Sequence, residues 1–335
     1  MSKKNTVMAA IQHNQTDIVP YNIELTSGLL AKVTQHLGID QAGFGQYAGN
    51  HLQKADCNTA GTYIKNNFFR DEFGVVWDRT GADKDIGIID HVLLPEPCLD
   101  SFEFPRPDMN NAAENITKLV NNGTDTFKLA KIGTCYFERA WSLRGMENLL
   151  MDFLLEPDFA KQLLDGILEY NLQIIDAALR YDIDGFYFGD DYGQQNGLIM
   201  SPETWRKFIR PGLARMFEKV KSAGKVVALH SCGNISRILG DLIDIGLDIY
   251  QTVQPEVYDL KKLKTDFGNK LTFWGGISTQ QTLPFVSPFE LKDIVKKTIA
   301  IMADKGGYIA GPTHRIPADV PVENVIALVQ VLKEQ

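Results

Sequence analysis

The sequence is poor in the features that mark secreted proteins. It has four cysteines, and they lie far apart in the chain: Cys57, Cys98, Cys135 and Cys232. Cysteines spread in this way do not indicate a disulfide framework, so we expect a reducing, cytoplasmic environment. The basic pair near the amino terminus is not followed by an apolar run, which argues against a signal peptide.

Two further classes of partner are disfavoured by what the sequence lacks. No apolar stretch is long enough to cross a bilayer, so we expect no membrane association. The net charge is −8 and no block of lysine and arginine is present, so we expect no nucleic-acid-binding surface. What the 335 residues do contain is 44% hydrophobic side chains, enough for a large buried core.

Predicted strands and helices alternate along the chain. The strands fall at residues 18–25, 127–133, 183–189, 226–230, 247–253, 271–274 and 307–310. Between them lie amphipathic helices, of which the clearest runs from about Phe159 to Leu179. Ser201-Pro202-Glu203 and the capping box Ser287-Pro288-Phe289-Glu290 each predict a helix start. This order favours an α/β protein with a parallel sheet.

Most of these strands end in polar or glycine-rich loops. A ring of such loops is typical of a TIM (β/α)8 barrel, whereas an open sheet gathers its functional loops at one crevice. We therefore predict a closed barrel with an N-terminal elaboration, forming a single domain over residues 1–335. The stretch 69–94 is predicted to be an appended hairpin, because two apolar runs flank a turn rich in glycine and aspartate.

One short motif points to metal chemistry. Val226-Val227-Ala228-Leu229-His230-Ser231-Cys232-Gly233 predicts a buried strand that ends in a histidine and a cysteine two positions apart. Alternate residues of a strand share a face, so His230 and Cys232 point the same way at the carboxyl end of the strand. Imidazole nitrogen and thiolate sulfur together suit zinc. A buried cysteine beside a hydrogen-bonded histidine is the structural alternative.

The chain resembles the uroporphyrinogen decarboxylase superfamily, and within it the corrinoid-dependent methyltransferases. Order and spacing agree from about residue 10 to the carboxyl terminus. Four segments carry the resemblance: 137–150 (FERAWSLRGMENLL), 188–193 (FGDDYG), 230–233 (HSCG) and 275–277 (GGI). The resemblance implies a TIM barrel, in agreement with the prediction from the loops.

Two details of the resemblance favour the methyltransferases. The decarboxylases have an arginine-rich segment near the amino terminus, but residues 18–26 contain no arginine and carry Glu24, which we assign as a substrate-binding candidate. In the methyltransferases a His-x-Cys pair and a distant third residue, commonly cysteine, bind zinc. His230 and Cys232 match the pair, and His314 stands where the third ligand is expected. We therefore predict zinc bound by these three residues, with a structural role in its own loop as the alternative for His314.

Other candidates follow the strand that ends at residue 189. Asp190, Asp191 and Tyr192 are predicted catalytic residues, since an acid there could orient a ligating histidine or donate a proton. The alternative for the two acids is capping of nearby loops. Trp141 and Trp274 are predicted to bind an aromatic substrate, with plain core packing as the alternative.

The resemblance implies methyl transfer between a small substrate and the cobalt of a corrinoid. A corrinoid protein is the expected partner, because we find no cobalamin-binding module in this sequence. The substrate could be a methoxylated aromatic compound that loses its methyl group, or a thiol that accepts one from methylcobalamin. A tetrapyrrole decarboxylase and a non-catalytic binding barrel are the competing hypotheses.

Overall fold

The computed structural model describes residues 1–58, 61–65, 67–81 and 87–335. Its strands are β1 Leu52–Asp56, β2 Thr62–Lys65, β3 Phe68–Arg70, β4 Val76–Asp78, β5 Ile88–Ile89, β6 Phe127–Ile132, β7 Gly185–Gly189, β8 Gly193–Gln194, β9 Gly197–Leu198, β10 Val226–His230, β11 Ile249–Val253, β12 Thr272–Ile277 and β13 Tyr308–Pro312. Seven of them form a curled sheet in the order β1-β6-β7-β10-β11-β12-β13, and every neighbouring pair is parallel. The predicted α/β class with a parallel sheet is confirmed.

Helices connect the strands of this sheet. They are α1 Lys3–Ile11, α2 Ser27–Leu37, α3 Gly43–Ala48, α4 Met109–Val120, α5 Phe137–Arg144, α6 Met146–Leu155, α7 Pro157–Ala178, α8 Pro202–Phe208, α9 Arg210–Ser222, α10 Leu239–Asp244, α11 Leu260–Phe267, α12 Pro288–Met302 and α13 Val322–Lys333. Both predicted start signals are confirmed: Ser201 caps α8, and Ser287 with Glu290 forms the capping box of α12. In the part of the chain that the structure describes, no helix combines the length and apolar character that a membrane span requires.

The predicted strand at residues 18–25 is not a regular strand. Only two isolated parallel bridges occur there, Tyr21 with Ala310 and Leu25 with Ile316. Pro20 has no N–H to donate, and on the side of β1 the side chains of Asn50 and His51 supply part of the hydrogen bonding. The segment nevertheless bonds to both edges of the sheet, because Asn22 donates to the Ala310 carbonyl and His51 donates to the Tyr21 carbonyl.

The predicted hairpin at 69–94 belongs to a larger antiparallel sheet. Strands β2, β3, β4 and β5 pair in sequence order, and β4 pairs with β5 as expected. The sheet begins at Thr62, earlier than predicted. Most of the turn between β4 and β5, residues 82–86, lies outside the described residues.

The strand side chains on the concave face of the curled sheet form their own apolar cluster. It contains Leu52, Phe127, Leu129, Tyr187, Val226, Ala228, Ile249, Trp274 and Ile309, with Val7 of α1 packed against it. Val226, Ala228 and His230 are every second residue of β10 and share one face, so the His230 side chain also points to the concave face, nearest the carboxyl end. By the same alternation Lys54 follows Leu52 on β1. The concave face is therefore apolar low in the sheet and polar at the carboxyl ends of its strands.

Candidate active site

A cavity of about 800 Å³ lies at the carboxyl ends of the parallel strands. Its walls come from the strand ends, from the loops that follow them and from the antiparallel sheet β2–β5. Among its lining residues are Glu24, Lys54, Glu138, Tyr187, Asp191, His230, Gln251, Trp274, His314 and Arg315. Catalytic sites of α/β barrels occur at this end of the sheet, so the cavity is the candidate active site.

Three side chains at this end of the sheet form a compact donor group. The ligand atoms of Asp191, His230 and Cys232 all lie within 4.8 Å of one another. Cys232 Sγ is 3.5 Å from His230 Nε2, and Asp191 Oδ1 is 3.7 Å from the same nitrogen. The predicted pairing of His230 with Cys232 on one face is confirmed by this geometry. Nitrogen, sulfur and carboxylate oxygen are all zinc ligands.

The His230 ring is held by a second layer of hydrogen bonds. Its Nδ1 faces Gln251 Oε1, and the same oxygen accepts a hydrogen bond of 2.8 Å from the Tyr187 hydroxyl. An imidazole that donates from Nδ1 keeps the lone pair on Nε2, the atom that faces Cys232 and Asp191. Asp191 is held as well, because its Oδ1 accepts the Cys232 backbone N–H at 2.7 Å.

Burial favours the neutral forms of the histidine and the cysteine in this group. Burial lowers the pKa of His230 to about 4, so the imidazole is neutral. Burial also raises the pKa of the Cys232 thiol, and the carboxylates of Asp191 and Glu138 raise it further. A metal ion would reverse the effect on the thiol, because coordination to a divalent cation deprotonates a thiol. The residues therefore fit a zinc ion in donor type and in charge.

His314 lies next to the donor group but does not belong to it. Its ring centroid is 5.6 Å from that of His230, and its side chain is exposed at the cavity wall. Asp191 takes the third position in the group instead. The sequence predicts Asp191 as a catalytic residue and, with Glu256 and Asp190, as a third ligand only if His314 is not one. The loop after β10 turns Cys232 towards the loop after β7, and that proximity is a property of the folded chain.

The structure places Asp190 and Tyr192 outside the cavity lining. The Asp190 carboxylate is fully buried and accepts the backbone N–H groups of Phe137 and Glu138 at 2.9 and 2.7 Å, at the start of α5. It also accepts the Tyr192 hydroxyl at 2.5 Å. Burial raises the pKa of Asp190 to about 6, against the lowering effect of these hydrogen bonds. The geometry favours the capping alternative over a catalytic role for both residues.

The two predicted substrate-binding tryptophans have different positions. Trp274 of β12 lines the cavity and makes an edge contact with Tyr187, with ring centroids 5.6 Å apart. Trp141 of α5 is half-buried against the main core and lies outside the described cavity lining, as its packing alternative predicts.

Glu24, a predicted substrate-binding residue, lines the cavity, and it is paired with cations of the protein. Lys54 Nζ lies 2.8 Å from its Oε1, and Arg315 Nε lies 3.9 Å from its Oε2. Burial alone raises the pKa of Glu24, but these cations outweigh burial and lower it to about 2. Sequence reasoning missed Lys54, because the stretch 52–56 has only two apolar residues and did not indicate a strand.

An ion pair connects the antiparallel sheet to helix α5 on the opposite side of the cavity wall. Arg139 of α5 donates to Asp71 Oδ2 at 2.5 Å and to Glu72 Oε1 at 3.1 Å, and all three side chains are buried. Asp71 also accepts the Trp77 indole N–H at 2.9 Å. Buried pairs of this kind fix orientation, so the cavity wall formed by β3 and β4 is held against α5.

Comparisons with known proteins agree with the resemblance seen in the sequence. The chain is 28% identical over 195 residues to two sequences named methylcobamide:CoM methyltransferase from Methanosarcina barkeri, one of them from strain Fusaro. This match covers 58% of the chain and 55% of each relative, so the chain spans about half the length of these curated relatives. A structure titled methyltransferase from Methanosarcina mazei superimposes with a TM-score of 0.76, at 20% identity, over 100% of this chain and 99% of that one.

The family model named uroporphyrinogen decarboxylase matches residues 107–335. That span includes β6 to β13 and with them all three members of the Asp191, His230 and Cys232 group. More than half of the chain is matched, and the similar structure has the same fold over its whole length. The chain belongs to the uroporphyrinogen decarboxylase family.

Proposed function

We propose that the protein is a zinc-dependent methyltransferase that moves a methyl group between a small substrate and the corrinoid of a partner protein. The observation that carries the proposal is the donor group of Asp191, His230 and Cys232 at the end of the sheet where the cavity lies. The similarity to relatives named methylcobamide:CoM methyltransferase supports the same activity.

In this proposal His230, Cys232 and Asp191 hold the zinc ion and leave one position for substrate. Bound zinc supplies Lewis acidity to the heteroatom that loses or gains the methyl group. Gln251 and Tyr187 keep the His230 ring in the ligating orientation through the hydrogen bonds described above. A corrinoid carried by the partner protein would supply the nucleophile that accepts the methyl group, and the heteroatom would keep the electron pair of the bond that breaks.

The aromatic walls favour a methoxylated aromatic substrate. Tyr187, Trp274, Phe69 and Trp77 all line the cavity. Removal of the methyl group from an aryl methyl ether bound there would leave a phenolate, which a nearby cation stabilises. Methylation of a thiol by methylcobalamin uses the same ligands in the opposite direction, and the names of the relatives favour it as the second candidate.

We also propose that residues 20–25 occupy the eighth position of a closed barrel, since they bond to β13 and to the residue preceding β1. We take residues 1–335 as one domain. The four cysteines are free thiols, which supports a cytoplasmic location.

A porphyrinogen decarboxylase is disfavoured by the charges of the cavity. Its lining contains six carboxylates, Glu24, Asp56, Asp71, Glu72, Glu138 and Asp191, against five lysines and arginines. Three of these cations, Lys54, Lys131 and Arg139, already pair with carboxylates of the protein, so few are left to bind a substrate with many carboxylates.

The direct test is methyl transfer to free cobalamin. Purified protein is loaded with zinc and mixed with an aryl methyl ether and cob(I)alamin, and methylcobalamin formation is followed by its absorbance. We expect zinc-dependent methylation of the cobalt. A protein that binds about one zinc per chain but neither methylates cob(I)alamin nor demethylates methylcobalamin in the presence of thiols would contradict the proposal.

A second test identifies the third ligand. We expect Asp191→Ala to lower the zinc content from about one per chain to below about one fifth, because two protein ligands rarely retain the ion. His314→Ala should leave it near one, and His314→Cys should do so as well. The reverse result, zinc retained in Asp191→Ala and lost in His314→Ala, would restore the ligand set predicted from the sequence. Elemental analysis of protein purified without added metal gives the answer.

A further inference from the structure

A smaller cavity of about 300 Å³ lies beside the candidate active site. The two cavities share five lining residues, all of them charged: Glu24, Lys54, Asp56, Lys131 and Arg315. The rest of the smaller cavity is lined by Gln41 and by four apolar residues, Ile23, Leu25, Leu30 and Phe44. These five shared residues separate the two cavities, and we call them the charged wall.

Lys54 is the centre of the charged wall. Only 13% of its side chain is exposed, and its ammonium lies 4.3 Å from the Tyr187 ring centroid and 5.1 Å from that of Trp274. The aromatic faces that could attract a positively charged ligand thus already hold a cation of the protein. A methylated ammonium compound would be repelled from this position.

The cations of the charged wall outnumber its carboxylates. Lys131 pairs with Asp56 at 3.1 Å and Lys54 with Glu24 at 2.8 Å. Arg315 is the third cation, and its Nε lies 3.9 Å from Glu24, beyond hydrogen-bond distance. Among the described residues no side chain or carbonyl accepts a hydrogen bond from the Arg315 guanidinium, and 45% of the Arg315 side chain is exposed. The positive charge of Arg315 is therefore not matched by a carboxylate, and an arginine side chain can bind a carboxylate with two hydrogen bonds.

The electrostatics of Lys54 agree with a shortage of negative charge. Burial lowers the pKa of Lys54, and the attraction of Glu24 does not restore it fully. An anionic group bound nearby would oppose the effect of burial. Arg315 directly follows His314, and the ring centroid of His314 lies 5.6 Å from that of His230. The charged wall and the donor group therefore border the same cavity.

We propose that Arg315 and Lys54 form an anion-binding subsite, and that the substrate carries a carboxylate which this subsite binds. The identification of the ligand as a methyl-group substrate rests on the proposed function. The subsite itself does not, because it is argued from charges and contacts away from the donor group. Glu24 acts in it as an internal counterion that limits how strongly the subsite attracts anions.

The test compares two probes of nearly the same shape, 4-methoxybenzoate and its neutral amide, 4-methoxybenzamide. We expect the wild-type protein to bind the carboxylate at least about tenfold more tightly in calorimetric titrations, as one good charge-assisted contact allows. Arg315→Gln should remove most of this preference. Glu24→Gln should increase it, because the counterion is lost; a purely structural ion pair predicts no such increase.

Three controls complete the test. Arg215→Gln removes an exposed arginine on α9 that pairs with Glu169, and it should leave the preference unchanged. Cys232→Ala should also retain the preference; its loss there would mean that the metal site, not the charged wall, binds the carboxylate. This variant separates failure of the subsite from failure of the methyltransferase proposal. In a parallel titration, tighter binding of 4-methoxybenzenesulfonate than of the benzoate would overturn the carboxylate assignment.

Equal binding of the two probes by the wild-type protein, or no binding of either, would overturn the proposal. An unchanged preference in Arg315→Gln would do the same.

Discussion

Cys232→Ala is expected to lose zinc almost completely, from about one ion per chain to nearly none, while the protein remains folded. The thiol is the sulfur ligand of the donor group, and its loss leaves one nitrogen and one carboxylate. Methyl transfer should fall by more than the roughly 100-fold that loss of an outer hydrogen-bond partner of a metal ligand costs. Zinc content by elemental analysis and methylation of cob(I)alamin measure the two effects.

Cys98→Ala is the matched control, because Cys98 is an exposed free thiol. It should keep both the metal and the activity. The free energy of unfolding of apo Cys232→Ala should lie within about 1 kcal/mol of the apo wild type, since the side chain is only partly buried and serves the site rather than the core. Full zinc content in Cys232→Ala would contradict the assignment of the metal site.

Asp190→Ala should have its effect on stability instead. Its carboxylate is the acceptor for the buried N–H of Phe137, the partly buried N–H of Glu138 and the buried Tyr192 hydroxyl. Alanine would leave these donors without a partner, and each unsatisfied donor lowers the free energy of unfolding by about 1 to 3 kcal/mol. We therefore expect the free energy of unfolding to fall by about 3 kcal/mol or more, measured by denaturant titration of the metal-free protein.

The neighbouring acid provides the comparison. Asp191 has 34% of its side chain exposed, and Asp191→Ala should change the stability of the metal-free protein by no more than about 1 kcal/mol. Two adjacent aspartates are thus expected to differ, one in stability and the other in metal binding. If Asp190→Ala were as stable as Asp191→Ala and inactive with zinc still bound, the catalytic role predicted from the sequence would be the better account of Asp190.

The parts of the site that could be predicted from the sequence are those set by local periodicity. Alternation along one apolar strand places His230 and Cys232 on one side, and the structure brings them together as expected. The third member of the group could not be found in this way. Asp191 approaches Cys232 because β7 and β10 are neighbours in the sheet, and nothing in the spacing of residues 191 and 232 reports that pairing.

The same reasoning explains why Lys54 was missed and why the sequence leaves two possible roles for Asp190. Lys54 lies on a strand with few apolar residues, so neither its strand nor its burial is visible in the sequence. Asp190 has the residue type and the position of a catalytic acid, and only its surroundings show that its oxygens are already taken. Residues 18–25 were predicted to be a strand, but isolated bridges form there instead, and Pro20 has no N–H to donate to a regular ladder.

The antiparallel sheet β2–β5 is inserted in the chain between β1 and β6, whereas the three donor residues come from the end of β10 and from the loops after β7 and β10. The sheet contributes Phe69 and Trp77 to the cavity, and neither is a member of the donor group. Lengthening, shortening or resequencing this insertion can therefore alter which molecules fit without disturbing the reactive centre. Such a division gives relatives with this architecture a route to diverge in substrate range through changes in one surface segment.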